Sequence, residues 1–368
     1  MALGCLLIAM PSFAATPEQL AYELATRYTP YADGAAALDL ERLANLESEI
    51  WWRTPETIRA DRSADDRPLA GLHLALDPGH IGGVWAEWEW RNFRIAEDDF
   101  WVREGELVLE VAQHIRAQLT RLGAQVTLLR ESHQPINPKT FIDYWPIAAA
   151  ELQRPSELTL QAQVDHARAV RNRAVQLAVV LDEIAERARV VNQVIQPDAL
   201  ISLHINAARW PESPEGDTQQ LVESDHAHVL IFGCLSQQEL AVPLQQAQLA
   251  KKLINGSGAI EVELGTKLGQ ALAEATGQPA SDYEGKNAIR INADVPYLWA
   301  RNLMLLRLVD CPSVLMEPYI ANSESSYVRI QKALAARAVH APLAADDILV
   351  EYTEAVVAGI LQTYGSKK

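Results

Sequence analysis

Two histidines and a choice of carboxylates stand where short apolar runs stop. Leu72 to His80 reads Leu-His-Leu-Ala-Leu-Asp-Pro-Gly-His, a run cut short by Asp77-Pro78-Gly79 and followed at once by a histidine. Ala199 to Leu203 runs into His204, and Ser313 to Met316 runs into Glu317. A short apolar run closed by Pro and Gly predicts a buried strand. Open α/β sheets place their ligand sites at the carboxyl ends of such strands. If the three strands are parallel neighbours, His80, His204 and Glu317 share one rim. Two imidazoles, a third ligand from Glu104 or Glu106, and a free carboxylate are the parts of a catalytic metal site. Such sites commonly use three protein ligands and keep one position for water. No helical HExxH pattern is present, so the site must be assembled from distant segments.

The elements between these residues predict how they are held. After His80 comes a long loop, Ile81 to Arg103, carrying Trp85, Trp88, Trp90, Phe93, Phe100 and Trp101. Flat apolar faces suit sugar rings, and they equally suit packing over a sheet edge. Glu104 to Leu122 keeps Leu107, Val111, Ile115, Leu119 and Leu122 on one face, with Gly123 at its end, which predicts an amphipathic helix. Ala124 to Arg130 is the next strand, so strand, helix and strand form a parallel βαβ unit. The expected fold is α/β: a doubly wound, mostly parallel sheet with helices on both faces. Ala227 to Phe232 predicts a further strand, Leu303 to Val309 another strand-like run, and Gly277 to Asp294 a polar loop. Leu244 to Ala275 predicts a helix broken near Asn255 to Gly258, and Ala344 to Tyr364 a closing helix.

Two regions exceed that core. Residues 16–67 predict a helical N-terminal extension and linker, with a helix from Pro17 capped by Thr16 and a second over Leu38 to Ile50. Residues 135–185 are an inserted helical excursion, its helical pattern running from Leu158 to Arg189 where a short connection would serve. The expected division is therefore 1–15 as signal peptide, 16–67 as extension, and 68–368 as catalytic domain. The apolar Leu3 to Met10 and the small residues Ser12 to Ala15 support the signal peptide. The apolar stretch is too short to span a bilayer, and no later stretch qualifies. With 368 residues, 49% hydrophobic, the chain is long enough for a folded globular protein. A net charge of −16 argues against nucleic acid as partner. Cys234 and Cys311 read as two buried thiols, although an oxidising compartment would permit their pairing.

Four segments in order, Asp77-Pro-Gly-His80, Glu104-Gly-Glu-Leu-Val-Leu109, Ile201-Ser-Leu-His-Ile-Asn-Ala207 and Val314-Leu-Met-Glu317, resemble the zinc-dependent N-acetylmuramoyl-L-alanine amidases of bacterial cell-wall turnover (the amidase type 3 family). Arg187 with Val191-Asn192 also resembles the family's pattern. The resemblance spans Leu72 to Leu334. It implies Zn2+ held by His80, Glu104 and His204, and Glu317 as the catalytic carboxylate. It also implies peptidoglycan as substrate, cut between N-acetylmuramic acid and L-alanine in wall remodelling or daughter-cell separation. An exported, periplasmic or extracellular location and an activator protein would accompany that role. The alternatives are a zinc carboxypeptidase of wall peptides and an inactive amidase-like regulator. Gly105 stands where the family usually has Lys, which leaves Glu106 as a rival to Glu104. Ile81 stands between His80 and Gly82-Gly83, where the family goes straight into glycine. Trp85, Asn206, Tyr297 and Arg301 are candidate substrate contacts. His226 and His228 flank a strand, so that one could face the metal, but surface or core roles are expected, since three ligands are already named. Asp77 is expected to hold the turn or to bond a ligand histidine. The 135–185 insertion is expected to pack as a decorative helix or to act as an inhibitory lid.

Overall fold

The computed structural model describes residues 15–62, 67–154, 156, 159–211 and 219–365. The expected signal peptide, apart from Ala15, lies outside the described residues. At its heart is a sheet of seven strands: β1 (His73–Pro78), β4 (Gln125–Leu128), β5 (Ala199–Leu203), β6 (His228–Phe232), β7 (Ala288–Arg290), β8 (Leu298–Arg301) and β9 (Ser313–Glu317). Strands β2 (Asn92–Phe93) and β3 (Val102–Arg103) form a separate two-stranded hairpin in the loop after His80. The order across the large sheet is β4-β1-β5-β9-β6-β8-β7. From β4 to β9 all pairs are parallel, so the three strands that end in chemistry are adjacent. Strand β6 runs antiparallel to β9, which brings the start of β6 to the rim where β9 ends, with His228 opposite Glu317.

Both faces of the sheet are covered, as expected of strands that read as near-continuous apolar runs. Alternate residues serve opposite layers. Leu74 and Leu76 pack with Leu107, Val111 and Ile115 of the Glu104–Arg121 helix and with Tyr352 and Val356 of the Ile348–Tyr364 helix. Ala75 and Leu200 face Ala188 and Val191 on the other side. The Glu104–Arg121 helix ends at Gly123, whose φ of 104° belongs to the left-handed region that glycine adopts freely.

The extension is built into the same body. Thr16 caps the first helix reciprocally with Gln19, and Pro17 occupies its first turn. Leu20, Leu24 and Tyr28 share a core with Leu230 and Phe232 of β6. Trp52 is buried against Ala75 and Leu200. The expected helix over Leu38 to Ile50 is only Leu40–Ala44. Beyond Asn45 the chain extends instead, so that Trp52 reaches the core and Arg53 pairs with Asp198.

The insertion contains a Phe141–Glu151 helix and a long helix from Leu160 to Ile195, interrupted by wider π turns at Leu177–Leu181 and Val191–Ile195. Its apolar side closes on Ile81, Trp85 and Trp88, just past His80. Leu303 to Val309, expected as a strand, contains the helix Met304–Leu308. A short, largely apolar run carries no periodicity that separates the two, and here neighbouring helices supply the packing. The Gly277 to Asp294 loop includes the edge strand β7. Among the described residues no helix is long and apolar enough to cross a membrane. Cys234 and Cys311 are both buried and unpaired.

Candidate metal centre

His80 sits one residue beyond the Pro78-Gly79 stop, with φ of 53°. A left-handed backbone is unfavourable for a non-glycine residue and persists only when its surroundings enforce it. Here two arginines enforce it. Arg187 donates to the carbonyls of Pro78 at 3.0 Å and His80 at 2.8 Å, and pairs with Asp77 at 2.8 Å and Glu183. Arg130 donates to the carbonyls of Pro78, Gly79 and Gly105, which ties the turn to the first turn of the helix that begins at Glu104. Burial, together with Arg187 alongside, pushes Arg130 down to about 10. Asp77 is wholly buried. Burial raises its pKa, yet Arg187 and the Ser202 hydroxyl at 2.6 Å hold it below the ordinary carboxylate range. Asp77 therefore holds the turn through Arg187 and Ser202, and bonds no ligand histidine.

The donor atoms of His80, Glu104 and His204 all lie within 4.8 Å of one another. Glu104 bridges the two rings, with Oε2 3.3 Å from His80 Nε2 and Oε1 3.0 Å from His204 Nδ1. Against the upward push of burial, His80 and His204 bring Glu104 down to about 2, so its carboxylate is anionic. His80 Nδ1 is held by Glu89 at 3.2 Å, which leaves Nε2 turned into the cluster. A carboxylate behind the outer nitrogen is the usual support of a metal-binding histidine. The Arg91 guanidinium lies 3.3 Å from His80 Nε2. Gly79 is required beneath His204, because a Cβ there would stand 2.3 Å from the ring. Two imidazoles and one anionic carboxylate fit a zinc-type site, and the partial exposure of all three leaves room for a water or substrate oxygen.

Glu106 faces away from this cluster. Its carboxylate accepts from Gly83 N at 3.0 Å and from Arg103, and so fixes the glycine loop. The same loop accommodates the Gly105 and Ile81 departures from the family pattern. A Cβ on residue 105 would lie 2.6 Å from Gly82 N and 2.8 Å from the Ile81 carbonyl carbon. Gly105 gives the Ile81 backbone room, and the Ile81 side chain, fully buried, anchors the insertion.

Glu317 ends β9, with Met316 beside Leu203 in register and the His204 N–H on the Met316 carbonyl at 3.0 Å. Burial raises its pKa, but His228 and then His204 overcome that effect and hold the carboxyl below its ordinary value. Of the candidate substrate contacts, Asn206 lies two residues past His204 and its side chain accepts from Ala207 N at 2.8 Å. Trp85 packs edge-on with Trp88 at 5.9 Å and joins the insertion core. Tyr297 gives its hydroxyl to the Gln278 carbonyl at 2.7 Å. Arg301 pairs in register with Phe232, at the far end of β6 from His228, and its guanidinium lies over Tyr283. Trp85, Tyr297 and Arg301 each also make contacts within the fold, Trp85 in the packing of the insertion and Tyr297 and Arg301 beside β8. Sequence reasoning missed Glu89, Arg130 and the contact of His228 with Glu317. Only the buried strand-edge placement of His228 carried a signal.

No family model matches the chain, and no curated protein matches it. Among solved structures, the chain is similar to the N-acetylmuramyl-L-alanine amidase Ami1 of Mycobacterium smegmatis, with TM-score 0.41 and 16% identity over 81% of this chain and 98% of that one. It is also similar to Ami1 of Mycobacterium abscessus in its apo form, with TM-score 0.42 and 16% identity over 80% and 99%. A third is the CwlD amidase of Clostridioides difficile, solved in complex with the GerS lipoprotein, with TM-score 0.40 and 14% identity over 79% and 98%.

Proposed function

We propose that the protein is a zinc-dependent N-acetylmuramoyl-L-alanine amidase, exported to act on peptidoglycan. The observation that carries this reading is the meeting of His80, Glu104 and His204 at the ends of β1, the Glu104–Arg121 helix and β5, with Glu317 on the next strand. The four segments that resemble the amidases are the same four that converge. His80, Glu104 and His204 would hold the ion, which supplies Lewis acidity toward a carbonyl oxygen and eases deprotonation of water. Glu317, held anionic, accepts a proton from the attacking water as general base. It then returns that proton to the nitrogen of the departing L-alanine as general acid. The charge on Glu104 balances a divalent ion, and Glu89 keeps the His80 ring aimed. Arg187 and Arg130 fix the His80 turn and the Glu104 helix start relative to each other, and reactivity is sensitive to such registration at the ångström level.

Digestion of purified peptidoglycan tests the proposal. Wild-type protein with zinc is expected to free intact stem peptides from muramic acid. Glu317→Gln is expected to lower the rate about 10²- to 10⁴-fold while retaining the ion. Shortened stem peptides would identify a peptidase instead, and no product from a zinc-loaded protein would leave an inactive scaffold.

A further inference from the structure

His228 opens β6, directly across from Glu317 in the antiparallel register. Its ring is fully buried, whereas Glu317 is partly exposed at the rim. His228 Nε2 lies 2.6 Å from Glu317 Oε2, and the Tyr283 hydroxyl lies 3.0 Å from the same nitrogen. Among the described residues His228 Nδ1 is buried without a hydrogen-bond partner. The ring is packed by His226 at 5.8 Å and by Tyr283 at 5.2 Å, and Tyr283 in turn by Trp299 and the Arg301 guanidinium.

From this geometry we infer that His228 is a positioning residue: its Nε2–H donates to Glu317 Oε2, fixes the carboxylate plane, and leaves Oε1 to handle the reaction's proton. The inference rests on the amidase reading for the identity of that reaction. The tautomer follows from the surroundings. A proton on Nδ1 would be a buried donor with no acceptor, which costs the full desolvation of that group. A proton on Nε2 meets an anionic oxygen at close range, in a bond strengthened by the acceptor's charge. His228 thus acts on the carboxylate as a clamp, holding Oε2 so that Oε1 stays at the rim for the reaction's proton. Tyr283, held by Arg301 and Trp299, keeps the imidazole from swinging away.

The test uses full-length, zinc-loaded protein and two substitutions. His228→Leu removes the donor, and His228→Gln keeps an N–H donor. His228→Leu is expected to lower kcat on peptidoglycan about 10²-fold, the scale of a roughly 1 Å misplacement, with KM within about twofold and zinc content unchanged. His228→Gln is expected to restore about tenfold of that loss. A separate reading comes from nitrogen-15 NMR of the wild type, which is expected to show His228 protonated at Nε2 with a strongly deshielded N–H that moves in Glu317→Gln. A kcat within about threefold of wild type in His228→Leu, no recovery in His228→Gln, or a proton on Nδ1 would overturn the inference. If His228→Leu does not fold, the NMR reading still decides the clamp. Wild-type protein that frees no stem peptide would refute the amidase reading, and the NMR result would still stand or fall by itself.

Discussion

Two buried ionic networks do different work. Beneath the rim, Arg187 and Arg130 direct most of their donors to backbone carbonyls of the His80 turn and of Gly105. At the opposite end of the strands, beside the start of β9, Arg27 and Lys252 converge on one carboxylate, Glu261, which is fully buried. Arg27 also donates to the Phe232 and Gly258 carbonyls, so this second network ties the N-terminal extension to β6 and to the start of the Ser257–Thr276 helix. The first network holds a strained turn whose displacement would move His80, a proposed metal ligand. The second joins the extension and the Ser257–Thr276 helix to the opposite end of β6 from His228. Buried charge alone therefore does not mark a functional site; the destination of its hydrogen bonds does.

Substitutions should separate the two networks. Glu261→Leu leaves Arg27 and Lys252 buried without an anion, and is expected to cost about 3–5 kcal/mol of stability, measured by urea unfolding. The activity of the molecules still folded should remain near wild type; a metal-binding defect at unchanged stability would erase the contrast. Arg187→Met is expected to weaken zinc binding about 10- to 100-fold, read by competition with a chelator, as well as lowering stability. Unaltered zinc affinity would show that the turn does not depend on that guanidinium. Gly105→Ala places a methyl against the Ile81–Gly82 backbone and is expected to cost about 1–3 kcal/mol while lowering zinc affinity. Full tolerance would mean that the loop can yield.

The smallest effect concerns pH. Burial pushes the Glu261 carboxyl up, but Lys252 and Arg27 outweigh it, so its pKa in the folded chain lies below the ordinary value of 4.5. A depressed folded pKa gives stability that is present above 4.5 and is lost as pH falls through the folded value. Wild-type melting temperature should therefore drop on acidification below 4.5, and Glu261→Gln should flatten that part of the curve. Equal slopes in the two proteins would contradict the ion-pair origin.

Much of the candidate metal rim could be read from sequence because it depends on local rules. Each of β1, β5 and β9 is a short apolar run with a polar residue at its end, and parallel βαβ connections put such ends on one side. Glu104 could not be separated from Glu106 by sequence, since both lie in the first turn of one helix. The distinction arises from Gly83 N and Arg103, which engage Glu106. His228 was out of reach for a related reason: its partner lies 89 residues away and meets it only because β6 reverses direction beside β9. Arg130 and Glu89 act through backbone carbonyls and a ring nitrogen across folded loops, and no spacing rule announces such contacts. Tyr297 and Arg301 have the chemistry for substrate contact, and each also makes a contact within the fold.

The most direct test of the account is the position of a metal in crystals soaked with zinc, located by anomalous scattering at the zinc edge. One ion about 2.0–2.2 Å from His80 Nε2, a Glu104 oxygen and a His204 ring nitrogen, with Glu317 facing it, is the predicted result. An ion held by Glu106 instead, or no ion at this rim at saturating zinc, would contradict the proposed centre.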